Sequence, residues 1–202
     1  MNKIKPLVSI LLSVHNCEKY LSTCLKSLTS QSYKNIEIVA IDDNSKDNSF
    51  KILKGFAKKY KRIRVYRNIK NYGRAVTLNR LIKKAKSSLI AFMGSSDIAY
   101  THRIKKQVKF ILENPGVVAV GSQCKFINDK NRPLGKSKFP LFRIFSKRSR
   151  KGIILITSKH ISNIPAHTIW ICLFVGILPG KTSASFSVNI LTQICFLFRQ
   201  SG

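Results

Sequence analysis

Acidic residues are scarce in this chain. Its 202 residues include 37 lysines and arginines but only 8 aspartates and glutamates, so the formal net charge is +29. No acidic residue follows Asp129, whereas twelve basic residues do. Such an excess raises the question of nucleic acid or an anionic membrane as a partner. The sequence has no recognition motif for DNA or RNA, and its basic residues are spread along predicted helices, so we expect no specific nucleic-acid binding.

Cysteine pairs and long apolar segments are also lacking. The five cysteines are odd in number and have no paired spacing, which argues against a disulfide framework or a zinc site and favours a reducing, cytoplasmic environment. Two apolar runs, at residues 169–178 and 190–198, are each shorter than the roughly 18–20 residues that a membrane-spanning helix needs. The short basic N-terminus leads at once into strand-forming sequence, so we expect no signal peptide. Peripheral contact with the inner face of the membrane is an open alternative.

The fold prediction starts from residues 36–45 (IEIVAIDDNS). Their apolar run, rich in Ile and Val, predicts a strand that is buried on both faces of a parallel sheet. Ligands of open α/β sheets bind outside the carboxyl ends of the strands, so Asp42 and Asp43 are placed where a ligand would be met. Because consecutive residues of an extended chain point to opposite sides, at most one carboxylate faces the crevice well. The other can accept hydrogen bonds from the next helix, which we expect to begin near residues 45–47. A plain polar turn and helix cap is the alternative.

A second buried strand is predicted at Val8–Val14. It is followed by His15 and Asn16, and then by a helix whose apolar residues recur at helical spacing. Asn16 is a good candidate for the N-cap of that helix. The order of strand, polar turn, helix, strand and acidic turn predicts one βαβ unit, with both turns at the same edge of the sheet.

Short motifs follow one another along residues 8–129: Ser13, His15, Asn16, Gln31-Ser32-Tyr33, Asp42 to Ser45, Asn71-Tyr72-Gly73, Asn79 and Arg103-Ile104-Lys105-Lys106-Gln107. Together they resemble the family 2 glycosyltransferases, enzymes that transfer a sugar from a nucleotide diphosphate sugar to an acceptor hydroxyl. The resemblance implies an α/β fold of GT-A type, Rossmann-like, with a mostly parallel sheet flanked by helices and an incomplete C-terminal part. It also implies a nucleotide-sugar-binding domain over residues 1–129, followed by a basic, partly apolar tail over residues 130–202.

The resemblance also implies the ligands. The donor is expected to be a UDP-sugar, the acceptor a saccharide or a lipid-linked saccharide, and the pathway cell envelope polysaccharide biosynthesis. The expected mechanism is inverting. Asp43 is preferred over Asp42 for contact with the base, because the family places the base-contacting carboxylate second. The expected donor-binding residues are Ser13, His15, Asn16, Asp42, Asp43, Gly73 and Arg74.

The turn after the predicted strand at residues 89–93 departs from the family. In relatives it reads Asp-x-Asp-Asp, and its carboxylates hold a Mg or Mn ion that bridges the donor diphosphate. This chain has Gly94 and Ser96 at two of those positions, and only Asp97 keeps a carboxylate. The resemblance therefore implies Mg or Mn as the cofactor, with Asp97 as its ligand. The lost carboxylates predict impaired metal binding and impaired catalysis.

The tail has lost a second feature of the family. Relatives carry the acceptor pocket and the Asp or Glu general base in this half of the protein. No acid follows Asp129 here, and His160 and His167 are better interpreted as ordinary loop or interface residues, so the catalytic base stays unknown. The two apolar runs could be core strands, an interfacial membrane patch or a non-native end from a shifted reading frame, and the absent acids favour the last.

Two other functions compete with the glycosyltransferase hypothesis. A non-catalytic cationic module would bind a membrane surface or nucleic acid through lysine and arginine, and it would do so with a steep dependence on salt. A sugar nucleotidyltransferase shares a similar sheet, but it needs a glycine-rich phosphate loop near the first strand. Ser13, Val14, His15 and Asn16 do not form such a loop.

Overall fold

The computed structural model describes residues 5–115, 117–122, 125–128, 131–136, 153–157 and 197–199. Strands and helices alternate through the first half of the chain, as the βαβ pattern predicts. The strands are β1 (Val8–Val14), β2 (Ile36–Asp42), β3 (Ile63–Arg67), β4 (Leu89–Gly94), β5 (Val117–Ser122), β6 (Lys125–Ile127), β7 (Pro133–Lys136), β8 (Ile153–Thr157) and β9 (Leu197–Arg199). The helices are α1 (Glu18–Thr29), α2 (Ser49–Lys59), α3 (Arg74–Lys84) and α4 (Arg103–Glu113).

Seven strands form one sheet in the order β3-β2-β1-β4-β9-β5-β8, and β6 pairs with β7 in a separate hairpin. The pairs among β3, β2, β1 and β4 are all parallel, whereas β9, β5 and β8 join through antiparallel pairs. Helices flank the four-stranded parallel part. The expected α/β fold with a mostly parallel sheet flanked by helices is confirmed in this part of the chain.

Burial on both faces of the sheet explains the apolar strands. All seven residues of β2 and all six of β4 are buried, and alternate side chains point to opposite layers. One layer packs against α1, α2 and α4, and the other packs against α3. The β-strand residues of the α3 layer are Leu11, Val39, Ile41, Ile90 and Phe92.

The strand register aligns the carboxyl ends of four strands. Val14 pairs with Asp42, Ser13 with Gly94, and Asp42 with Arg67. The chain runs from β1 outward to β3 and then crosses back to β4 on the other side of β1. This reversal of strand order is a topological switch point, and such points are where open α/β sheets bind ligands. The turns after β1, β2, β3 and β4 therefore meet at one edge of the sheet.

The second helix begins later than expected. Its first residue is Ser49, not a residue between 45 and 47. The backbone N–H of Ser45 donates to Asp42 Oδ2 at 3.1 Å, and that of Lys46 donates to Asn16 Oδ1 at 2.9 Å. Because side chains accept these N–H groups, the chain stays in a turn until Asn48, the N-cap residue.

Only parts of the basic tail lie within the described residues. Both β8 and β9 belong to the main sheet. The apolar run at residues 169–178, His160, His167 and the proposed domain boundary at Asp129 all lie outside the described residues. No helix within the described ranges is both long and apolar enough to span a bilayer.

Candidate functional site

The second carboxylate of the acidic turn, Asp43, is buried and held from two sides. It is 2% exposed. Its Oδ1 accepts hydrogen bonds from Asn68 Nδ2 at 2.7 Å and from the backbone N–H of Tyr72 at 3.0 Å. Its own N–H donates to the carbonyl of Val14 at 2.7 Å, which joins the turn to the end of β1. No described residue donates a hydrogen bond to Oδ2, so this oxygen is free to accept one from a ligand.

The first carboxylate, Asp42, contacts an arginine side chain and the backbone of the acidic turn. It is fully buried at the end of β2, and its Oδ2 lies 3.1 Å from Arg67 Nε. The same oxygen accepts the N–H of Ser45, and Arg67 also donates to the carbonyl of Ser45 at 2.9 Å. Asp42 therefore ties the acidic turn to β3. The two adjacent carboxylates differ in role, as the alternation of an extended chain predicts.

His15 has a defined tautomer because its neighbours are oriented. Its Nδ1 lies 2.9 Å from the carbonyl oxygen of Asp43, which can only accept, so Nδ1 carries the proton. Its Nε2 lies 3.2 Å from the amide nitrogens of both Asn16 and Asn71. The oxygens of those amides accept the N–H groups of Lys46 and Gly73, so both amides present N–H to the ring. His15 therefore joins the turns that follow β1, β2 and β3.

The expectation that Asn16 caps α1 is wrong. The helix begins at Glu18 and its N-cap residue is Cys17, whose side chain makes no cap hydrogen bond; the N–H of Glu18 instead donates to Asp47 Oδ2 at 3.0 Å. Asn16 has a φ of 46°, a left-handed conformation that asparagine tolerates better than most residues. Its side chain instead bonds to Lys46 in the neighbouring turn. Sequence spacing could not distinguish these partners, because both are backbone N–H groups close to a strand end.

The start of α3 lies beside the same edge of the sheet. Gly73 is its N-cap residue and has a φ of 79°, which favours glycine. Arg74 follows as the first helical residue and is half-buried. Burial lowers the pKa of Arg74, and the nearby charge of Asp97 opposes that shift. No ion pair joins Arg74 to a carboxylate among the described residues, although the charge of Asp97 acts on its guanidinium.

Asp97 lies in the turn after β4, where its N–H donates to the carbonyl of Gly94 at 3.1 Å. Burial raises the pKa of Asp97 to about 6, and the charges of Arg74 and Arg103 lower it only in part. Its Oδ2 is buried and has no hydrogen-bond partner among the described residues. Ser96, beside it, is exposed. The charges that act on Asp97 are therefore those of two guanidinium groups, Arg74 and Arg103, and not that of a second carboxylate.

The turn after β4 carries fewer carboxylates than the family pattern implies. Mg²⁺ and Mn²⁺ prefer about six hard oxygen ligands, and one or two of them are commonly protein carboxylates when a diphosphate shares the ion. Asp97 is the single carboxylate of this turn, and two cationic side chains lie close to it. Among the described residues, no group of three or more His, Cys, Asp or Glu side chains is placed to hold a metal ion.

The structure places further residues in the site that the sequence patterns missed. Asn68 and Tyr72 hold Asp43, while Thr77 and Arg80 hold Asn68. Asn68 follows directly after β3, so the rule that strand ends line the site could have identified it. Ser13, an expected donor-binding residue, is half-buried near the end of β1.

Comparison with known proteins identifies similar chains. The family model described as glycosyl transferase family 2 matches residues 9–170. An uncharacterized glycosyltransferase of Haemophilus influenzae is 37% identical over 117 residues, which are 58% of this chain and 47% of that protein. This chain spans about half or less of the length of the curated relatives that it matches first.

Two solved structures resemble the fold. Residues 1–349 of TarS from S. aureus, in complex with UDP-GlcNAc, superpose with a TM-score of 0.57 at 26% identity, covering 66% of this chain and 38% of that one. The mannosyltransferase PcManGT from Pyrobaculum calidifontis, in complex with GDP-Man and Mn²⁺, gives a TM-score of 0.54 at 17% identity, covering 62% and 37%. The second likeness shows the fold alone.

Proposed function

Because this chain belongs to glycosyl transferase family 2, we propose that it binds a nucleotide diphosphate sugar, as a UDP-sugar, at the carboxyl ends of β1, β2 and β3. One observation carries this proposal: Asp43 is a buried carboxylate at the topological switch point, with one oxygen held by protein donors and the other open to a ligand. The TarS structure, which contains UDP-GlcNAc, supports the choice of a uridine nucleotide.

Recognition of the base rests on Asp43 and His15. The ring N–H of uracil is a donor, so Asp43 Oδ2 accepts it as a charge-assisted hydrogen bond. The exposed imidazole of His15 stacks on the base, and Ser13 lies at the end of the adjacent strand. Because His15 is hydrogen-bonded at both ring nitrogens, its ring plane is defined before the ligand arrives.

The diphosphate binds at the start of α3. Backbone N–H groups and the positive end of a helix favour phosphate oxygens. Gly73 has no side chain to obstruct a phosphate, and Arg74 supplies a guanidinium that has no ion pair among the described residues. Basic side chains such as Arg74 therefore neutralise part of the diphosphate charge. In relatives with more carboxylates in the turn after β4, a bound metal ion does so.

We propose that sugar transfer by this chain is impaired. An inverting transfer needs in-line attack of an acceptor hydroxyl at the anomeric carbon, a base for its proton and neutralisation of the leaving diphosphate. The turn after β4 carries one carboxylate, that of Asp97, so a divalent ion that neutralises the leaving diphosphate would be held weakly. The acceptor, if transfer occurs, is a saccharide or lipid-linked saccharide of the cell envelope, met on the cytoplasmic side at the inner face of the membrane.

Calorimetry with UDP tests the proposal. We expect Asp43→Ala to weaken UDP binding about tenfold or more, in line with the loss of a charge-assisted hydrogen bond. CDP should bind more weakly than UDP, because cytosine has an acceptor where uracil has its ring N–H. Glu113→Ala, which removes an exposed carboxylate from α4, is the control and should leave the affinity unchanged.

The same titrations separate the rival function. Crevice binding of UDP should persist when salt is raised, whereas a cationic module would bind any polyanion and would lose affinity steeply with salt. Equal affinity for UDP in the unmodified chain and in Asp43→Ala would refute the assignment of Asp43.

A further inference from the structure

Both hydrogen bonds to Asp43 Oδ1 come from residues that Arg80 contacts. A guanidinium nitrogen of Arg80 donates to Asn68 Oδ1 at 2.7 Å, and the guanidinium carbon lies 3.8 Å from the centre of the Tyr72 ring. We propose that Arg80 is a positioning residue for donor binding, which holds the Asp43 carboxylate in place by acting through Asn68 and Tyr72. The inference rests on the proposed function, because it assumes that Asp43 receives the base.

Arg80 determines the orientation of the Asn68 amide. A guanidinium only donates hydrogen bonds, so Asn68 must turn its oxygen toward Arg80. The amide nitrogen then faces Asp43 Oδ1 at 2.7 Å and the Thr77 hydroxyl at 3.0 Å. Asn68 is 6% exposed and Thr77 is fully buried, so water has little access to replace a lost partner. Removal of Arg80 would leave a buried amide oxygen without its donor, which is costly.

Arg80 also holds the turn that precedes α3. Its distance from the Tyr72 ring is well inside the range of about 6 Å in which a cation is attracted to an aromatic face. The backbone N–H of Tyr72 is the second donor to Asp43, at 3.0 Å. Without the contact between Arg80 and the Tyr72 ring, the backbone at Tyr72 would be held less firmly. One side chain thus supports both donors that orient the carboxylate.

The bonding of Arg80 is unusual for an arginine on a helix surface. It forms no ion pair with any carboxylate among the described residues, and its charge is separated from Asp43 by a single amide. Hydrogen bonds in such a chain polarise one another in a low-dielectric environment. The arrangement occupies Asp43 Oδ1 and leaves Oδ2 for the ligand.

A double-mutant cycle for UDP binding tests this role. Arg80→Ala alone is expected to weaken UDP binding about fivefold, the effect of losing roughly one hydrogen bond. In an Asp43→Ala background, Arg80→Ala should cause no further loss, because the group that it positions is gone. Arg80→Lys keeps the charge but lacks the planar fork, so it should recover part of the affinity. Lys83→Ala removes an exposed charge from the same helix and serves as the control.

Each outcome of the cycle is decisive. An unchanged affinity in Arg80→Ala, or an equal loss in both backgrounds, would overturn the positioning role while leaving UDP binding intact. If the unmodified chain does not bind UDP at all, the proposed function fails and this inference fails with it. Urea unfolding reports whether each variant is folded. If Arg80→Ala does not fold, the same cycle is measured with Arg80→Met, which keeps an aliphatic stem over Tyr72. The affinity of that variant then decides whether Arg80 positions Asp43.

Discussion

Replacing Asp97 by asparagine is expected to stabilise the protein at neutral pH. Burial raises the pKa of Asp97 to about 6, compared with 3.8 for an ordinary aspartate, and Arg74 and Arg103 offset this only in part. The unfolded chain therefore releases the Asp97 proton more readily than the folded chain does. The contribution of Asp97 to the fold is most favourable below pH 3.8 and is lost as the pH rises through about 6.

The size of the effect follows from the two pKa values. A tenfold difference in proton affinity corresponds to about 1.4 kcal/mol, so the interval between 3.8 and about 6 sets an upper bound of about 3 kcal/mol above pH 7. Asp97 keeps part of its surface in contact with water, which reduces the penalty. We expect Asp97→Asn to raise the free energy of unfolding by about 1–2 kcal/mol at pH 7.5 and by almost nothing at pH 4.

Urea unfolding between pH 4 and pH 8 measures this difference directly. The unmodified chain and Asp97→Asn should have similar unfolding free energies at the acidic end and should diverge through the interval around pH 6. Glu113→Gln, in which an exposed carboxylate is neutralised, should show no such divergence. A stability difference that does not vary with pH, or an Asp97→Asn protein that is less stable at pH 7.5, would refute the argument from burial.

Three further predictions concern other parts of the molecule. Ser96→Asp, alone or with Gly94→Asp, should make UDP binding tighter when Mn²⁺ is added, whereas Mn²⁺ should change the UDP affinity of the unmodified chain little. Metal-dependent sugar transfer by the unmodified chain would contradict the proposed impairment. Limited proteolysis should leave a compact N-terminal fragment that contains the parallel strands β1, β2, β3 and β4 with their helices, and digestion within those strands would contradict this expectation. Glu37→Gln should lower the free energy of unfolding by about 1–3 kcal/mol without changing UDP affinity. The reason is that buried Glu37 accepts a hydrogen bond from Ser9 at 2.6 Å and lies 3.3 Å from Arg64. An unchanged denaturation midpoint would refute that role.

Local patterns predicted the elements of the parallel sheet well. The strand at Val8–Val14 has the bounds that its apolar run predicts, and the Ile- and Val-rich run at residues 36–41 lies entirely within β2. The helix ends were less accurate. Periodicity reports which residues face the core, whereas a helix start depends on which side chain accepts the first free N–H groups. The N–H of Lys46 finds its acceptor in Asn16, in the turn after β1, and that of Ser45 finds it in Asp42, at the end of its own strand.

The sequence by itself determined the family, the parallel sheet and the position of the acidic turn at a strand end, because these depend on short-range hydrophobic pattern and on motifs that are contiguous in the chain. Only the tertiary structure decided what surrounds each carboxylate. Asp43 meets Asn68 and Tyr72, which lie 25 and 29 residues further along the chain. Such contacts are created by the crossover connections and by the register of adjacent strands, and no local pattern encodes that register. The same applies to the Arg80 contacts and to the two guanidinium groups beside Asp97.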